Sequence, residues 1–98
     1  MIPNREQSAV MKLIGKNRLR ELYGHDDQTD KWLRSWVSEL SHANWKHAKD
    51  VLRQFPRVQS FENNVFLFPV GQRQQSIEVT MMFPQAIALI VSLTNKLQ

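Results

Sequence analysis

Apolar residues recur along the chain in changing rhythms, and each change of rhythm marks an element. From Thr29 onward, Trp32, Leu33, Trp36, Val37 and Leu40 fall at three- and four-residue intervals, with Asp30, Lys31, Arg34, Ser35, Ser38 and Glu39 between them. That spacing makes one apolar helical face, and Thr29 is the expected N-cap. Upstream, Asn17 to Tyr23 places Leu19, Leu22 and Tyr23 on one helical face, with Gly24 as its C-terminal stop. Met11 to Gly15 reads as a short strand and GHDDQTD as a connecting loop. Residues 1–10 are polar and without period, a flexible leader, and Met11 is a second candidate start.

Past Leu40 the rhythm shortens. Ala48 to Phe55 makes two helical turns, and Pro56 ends them because the residue before a proline is pushed out of the helical region. SFENN supplies turn formers before the apolar run Val65 to Val70, whose Pro69 confines that end to an edge or bulge. GQRQQ is a polar hairpin connection. Ile77, Val79 and Met81 then alternate as a strand, Phe83 to Ala86 makes the next connection, and Ile87 to Leu93 is the last strand. Alternation at Ile87, Leu89, Val91 and Leu93 predicts that these residues form its apolar face. Helices followed by strands predict an α+β domain over residues 11–98, with two to three helices packed on one face of a small, mainly antiparallel sheet.

Composition narrows the chemistry. Ninety-eight residues suit one domain. The absence of cysteine removes disulfides and thiolate chemistry, and no window resembles a membrane span or a signal peptide, so a cytoplasmic location is expected. The net charge of +4 is uneven: through Arg57 there are 11 Lys/Arg against 7 Asp/Glu, and Val58 onward is balanced. A basic half of this kind suits RNA, DNA or an acidic protein. His25, His42 and His47 lack the spacing that places two ligands on one helical turn, so neither a metal site nor a cofactor is expected. Phosphate-cradling glycine loops and serine-hydrolase elbows are also missing.

Lys46, Lys49, Arg53 and Arg57 recur at three- to four-residue steps, with Trp45 and Phe55 interleaved. Such a row is either a solvated face or a strip that holds an RNA backbone through its phosphates. The two aromatic residues are read as core pegs, because rings of that size bury much apolar area.

MKLIGKNRLRELY, the Leu33-x-x-Trp36 helix, Trp45-Lys46, Asp50-Val51, Phe55-Pro56, Asn63-Asn64 and the strand VFLF together resemble HigB-like toxins of the RelE superfamily, in order and nearly ungapped. The resemblance implies a RelE-like microdomain that cleaves mRNA on the ribosome and is silenced by a cognate antitoxin, a HigA-like helix-turn-helix protein with which it would assemble. It also implies positions that this chain has changed. The family's tyrosine-arginine pair falls on Gln75 and Ser76, an acidic or amide position on Met82, a basic one on Val91, and the threonine-histidine on Asn95 and Lys96. The tyrosine-aspartate that follows has no counterpart before Gln98. Lys96 and Arg73 are therefore the candidate catalytic residues, and Lys46, Lys49, Arg53 and Arg57 the candidate RNA-binding residues. Losing several transition-state cations together weakens phosphate-transfer catalysis. The alternatives are a catalytically degenerate relative that binds antitoxin or ribosome, and a small RNA-binding regulator. The apolar last strand IALIVSL further predicts a surface that a partner chain, a second copy or the leader would cover.

Overall fold

The computed structural model describes residues 10–71 and 73–95. The leader expected over residues 1–10 lies almost wholly outside them, and Lys96 lies outside them too. The elements run β1 (Lys12–Ile14), a 3-10 segment (Lys16–Leu22), α1 (Asp27–Ser41), α2 (Ala48–Gln54), β2 (Gln59–Phe61), β3 (Val65–Pro69), β4 (Gln75–Met82) and β5 (Ile87–Asn95). The strands form one sheet in the order β1-β5-β4-β3-β2. β1 pairs in parallel with β5, and the other neighbours are antiparallel. This is the expected α+β architecture, enlarged by one strand. β2 occupies residues that read as turn formers, because Asn63 and Asn64 reverse the chain so tightly, at φ 64° and 60°, that Gln59 to Phe61 folds back onto β3. Asparagine tolerates that left-handed backbone better than most residues.

Helix α1 begins two residues before the expected cap. Asp26 is the N-cap, and its carboxylate accepts from the Thr29 N–H at 2.7 Å and the Thr29 hydroxyl at 3.1 Å. Asp27 and Asp30 in the first turn suit the positive end of the helix dipole. The segment before it is 3-10 rather than α. Leu19 and Leu22 are buried in it, whereas Tyr23 points to solvent, because a three-residue turn aligns positions 19 and 22 but rotates 23 away. Gly24 follows at φ 89° and donates its N–H to Asp30 at 2.9 Å.

The core lies between the helical layer and one sheet face. Leu33, Trp36 and Leu40 of α1 and Val51 of α2 meet Phe66, Phe68, Ile77, Val79 and Met81 there. A run of rings binds the layers: Trp32 stacks on Trp36, Trp36 meets Phe68 edge-on at 5.4 Å, Phe68 meets Phe55 at 5.2 Å, and Phe55 meets Trp45 at 6.0 Å. Aromatic pairs in these geometries gain about 0.5–1.5 kcal/mol each beyond area burial.

The last strand departs from its apparent alternation. Ala88 and Ile90 are the buried residues, while Ile87, Leu89 and Val91 are only half-buried. A bulge explains the change: Val79 pairs with Ile90 but Glu78 pairs with Ser92, so Val91 is the extra residue. Beyond it the pleat shifts, and Leu93, opposite Ile77, joins Ala88 and Ile90 against the core. Pro69 fits its expected place, since it pairs with Ser76 on one side while β2 reaches only Leu67 on the other.

Candidate RNA-facing and sheet-end site

Helix α2 is short and is held at its start by one carboxylate. Asp50 accepts from the N–H groups of Lys46 at 2.9 Å and His47 at 3.0 Å, and those two bonds hold its pKa below the ordinary value, with smaller help from Arg53. Trp45 is buried, its Nε1 donates to the Gln54 side chain at 3.1 Å, and Gln54 donates to Glu39 of α1 at 3.2 Å. This relay locks α2 onto α1, so Trp45 is a structural ring and not a base-stacking platform.

The cations of the strip stand outside this frame. Lys49 and Arg53 lie four residues apart on α2 and so share a face, while Lys46 precedes the helix beside Asp50. All three are exposed, and Arg53 makes a 3.5 Å contact with Asp50 that its own exposure of 71% leaves weak. Arg57, beyond the Pro56 stop, lies elsewhere: it lines a groove between the start of α1, the exit of α2 and the end of β3.

Arg73 lines the same groove. Its Nε donates to the Gln75 side chain at 3.0 Å, and a terminal nitrogen stands 3.6 Å from the Asp26 carboxylate. The Thr29 N–H is the main cause that keeps Asp26 below its ordinary pKa, with Arg73 contributing less. Register draws Gln75, Ser76, Thr94 and Asn95 to this end of the sheet: Gln75 faces Asn95, and Ser76 stands between Pro69 and Thr94. The fold therefore gathers the β3–β4 connection and the end of β5, the strand that leads to Lys96, into one neighbourhood. Its described side chains on the paired strands are neutral. His25 and His42 bond the carbonyls of Glu21 and Ser38 within their own turns, each at 2.8 Å. No cluster of three potential metal ligands occurs among the described residues.

The groove's remaining walls were not legible as a site in the sequence. Trp32 reads there as one more core residue of α1, and Asp26 and Asp27 read as loop. Only the docking of the α1 start beside the β3–β4 connection places them opposite Arg57 and Arg73.

No helix of the described residues is long and apolar enough to cross a membrane. A search of curated proteins found no match. The family model for HigB toxins, described as the RelE-like toxic component of a toxin-antitoxin system, matches residues 29–95, a span that holds α1 from Thr29 on, all of α2, the four antiparallel strands and the sheet end just described. The chain belongs to the HigB family of RelE-like toxins, and an antitoxin partner follows from that membership.

Proposed function

We propose that this toxin holds messenger RNA in the ribosome of the cytoplasm through Lys46, Lys49 and Arg53, with Arg57 at the edge of the contact, and cleaves it slowly. The observation that carries the reading is the exposed cationic strip on and before α2, in which Asp50 makes only a weak 3.5 Å contact with Arg53. RNA cleavage of this type activates a 2′-hydroxyl, stabilises the charge gathering on the adjacent phosphate, and protonates the leaving oxygen. Arg73 supplies the charge stabilisation, once its contact with Asp26 is exchanged for phosphate. Gln75, Ser76 and Thr94 do not transfer protons readily at neutral pH, so acid-base help is left to Lys96 or to water. Slow cleavage follows.

Induced expression followed by primer extension, with and without blocked translation, tests this. Growth arrest with cuts that need translation is the expected result, and Arg73→Ala should lower cutting by about 10²-fold or more, the usual effect of removing one transition-state donor. Arrest with no cuts would overturn the catalytic part. It would favour a toxin that acts by binding alone, a reading supported by the neutral sheet end and by the existing engagement of Arg73 with Asp26 and Gln75.

A further inference from the structure

The groove that holds Arg57 and Arg73 has a volume of about 1020 Å³. That is at the upper end for small-molecule sites, which run to roughly 1,000 Å³. Its floor is apolar, formed by Trp32, Phe55 and Phe68, with Pro56 and Pro69 at the sides. These rings are already in place: Trp32 is stacked 6.2 Å from the buried Trp36, and Phe55 is braced by Phe68 and Trp45. A preformed apolar floor lowers the ordering cost of binding.

The rim decides the class of occupant. Arg57 and Lys31 are exposed cations, and Asp26 and Asp27 stand at the α1 end of the same groove, where Arg73 already faces Asp26 and Asp27 has no such counterion among the described residues. A uniformly negative nucleic-acid backbone matches the cations but neither Asp27 nor the apolar floor, so it would take up Arg73 without filling the groove. A polypeptide can match a rim of both signs, setting a carboxylate on the Arg57 guanidinium and a cation near Asp27 while a large apolar side chain fills the floor.

We propose that this groove is the docking site for a segment of the antitoxin, a peptide with an aromatic or large aliphatic anchor beside an acidic residue. The assignment of the segment to an antitoxin rests on the toxin reading above. The groove itself rests on its own geometry.

The test is selection of phage-displayed random 12-residue peptides on the purified full chain, followed by affinity measurements on the wild type, Ser35→Trp and Arg57→Glu. Ser35 is an exposed wall residue of α1, so the added indole blocks the groove without entering the core, and circular dichroism checks that both variants fold. Enriched peptides should share an apolar anchor next to Asp or Glu and lose at least tenfold in affinity for each variant. Failure to enrich any peptide, or peptides that bind both variants as tightly as the wild type, overturns the proposal. So does a 12-nucleotide uridine RNA whose binding is lost in Ser35→Trp, because the groove would then be an RNA site. Growth arrest by the unmodified chain is read separately. Arrest without groove-binding peptides sinks the groove and spares the toxin, and groove-binding peptides without arrest remove the antitoxin as their source.

Discussion

Replacing Gly15 by alanine isolates one close approach on which the sheet depends. Gly15 follows β1, takes φ 94°, and starts the 3-10 segment by accepting from the Arg18 N–H at 2.9 Å. A β-carbon built on it would stand 2.8 Å from the Ile90 carbonyl oxygen and 3.2 Å from the Ile90 Cβ. Neither atom is the end of a flexible side chain, so β1 or β5 must move. The left-handed backbone costs an L-residue about 1–2 kcal/mol, and overpacking a tight contact adds about 1–3 kcal/mol. A loss of about 3 kcal/mol is therefore expected. With a urea slope of about 1.5 kcal/mol/M for a chain of this size, the midpoint should fall by about 2 M. Gly24→Ala is the internal control: its φ is 89°, but no atom lies within 4 Å of the added carbon, so only the backbone cost of about 1–2 kcal/mol applies. Both midpoints are read from tryptophan fluorescence in urea. Equal shifts in the two variants would refute the claim that contact with β5, and not backbone conformation, makes Gly15 necessary.

Phe68→Ala removes the ring that touches both Trp36 and Phe55, and should cost about 3–5 kcal/mol, measurable as a lowered urea midpoint or as loss of the native near-ultraviolet dichroism. The aspartates that open α1 and α2 give stability a pH dependence of known sign. Asp26 and Asp50 both have folded pKa values below the ordinary 3.8, so their contribution is full above that value and is lost as pH falls through the depressed folded values. Acid unfolding curves of Asp26→Asn and Asp50→Asn should accordingly be flatter below pH 4 than that of the wild type. Lys49→Ala combined with Arg53→Ala should reduce the slope of log affinity against log salt for a single-stranded RNA by about 1.4, two phosphate contacts at about 0.7 each. An unchanged slope would remove the α2 face from the RNA contact.

The sequence determined the elements whose periodicity carries its own explanation. The interval pattern from Trp32 to Leu40 made α1 readable, Pro56 ended α2, Asn63 and Asn64 marked the reversal, and alternation through Ile77, Val79 and Met81 placed those three residues in the core of β4. The motifs from Leu33 to Phe68 also carried the family. The cap of α1, the pairing of β2 and the face of β5 depended on longer-range or finer geometry. Asp26 displaced Thr29 as the cap because its carboxylate reaches both donors of Thr29. Gln59 to Phe61 has no apolar pattern of its own and becomes a strand only because β3 offers it an edge.

β5 is the sharpest case. Residues 87–91 are apolar without a break, so either face could have been the buried one, and a bulge at Val91, visible only in the register against β4, settled the matter. The same holds for the groove. Arg57, Arg73, Asp26 and Trp32 are scattered along the chain, and no local pattern relates residues so far apart; it takes the packing of α1 across the end of β3 to bring them to one surface. Local periodicity fixes which residues can be helix or strand, but which of them share a site is decided by how the layers dock.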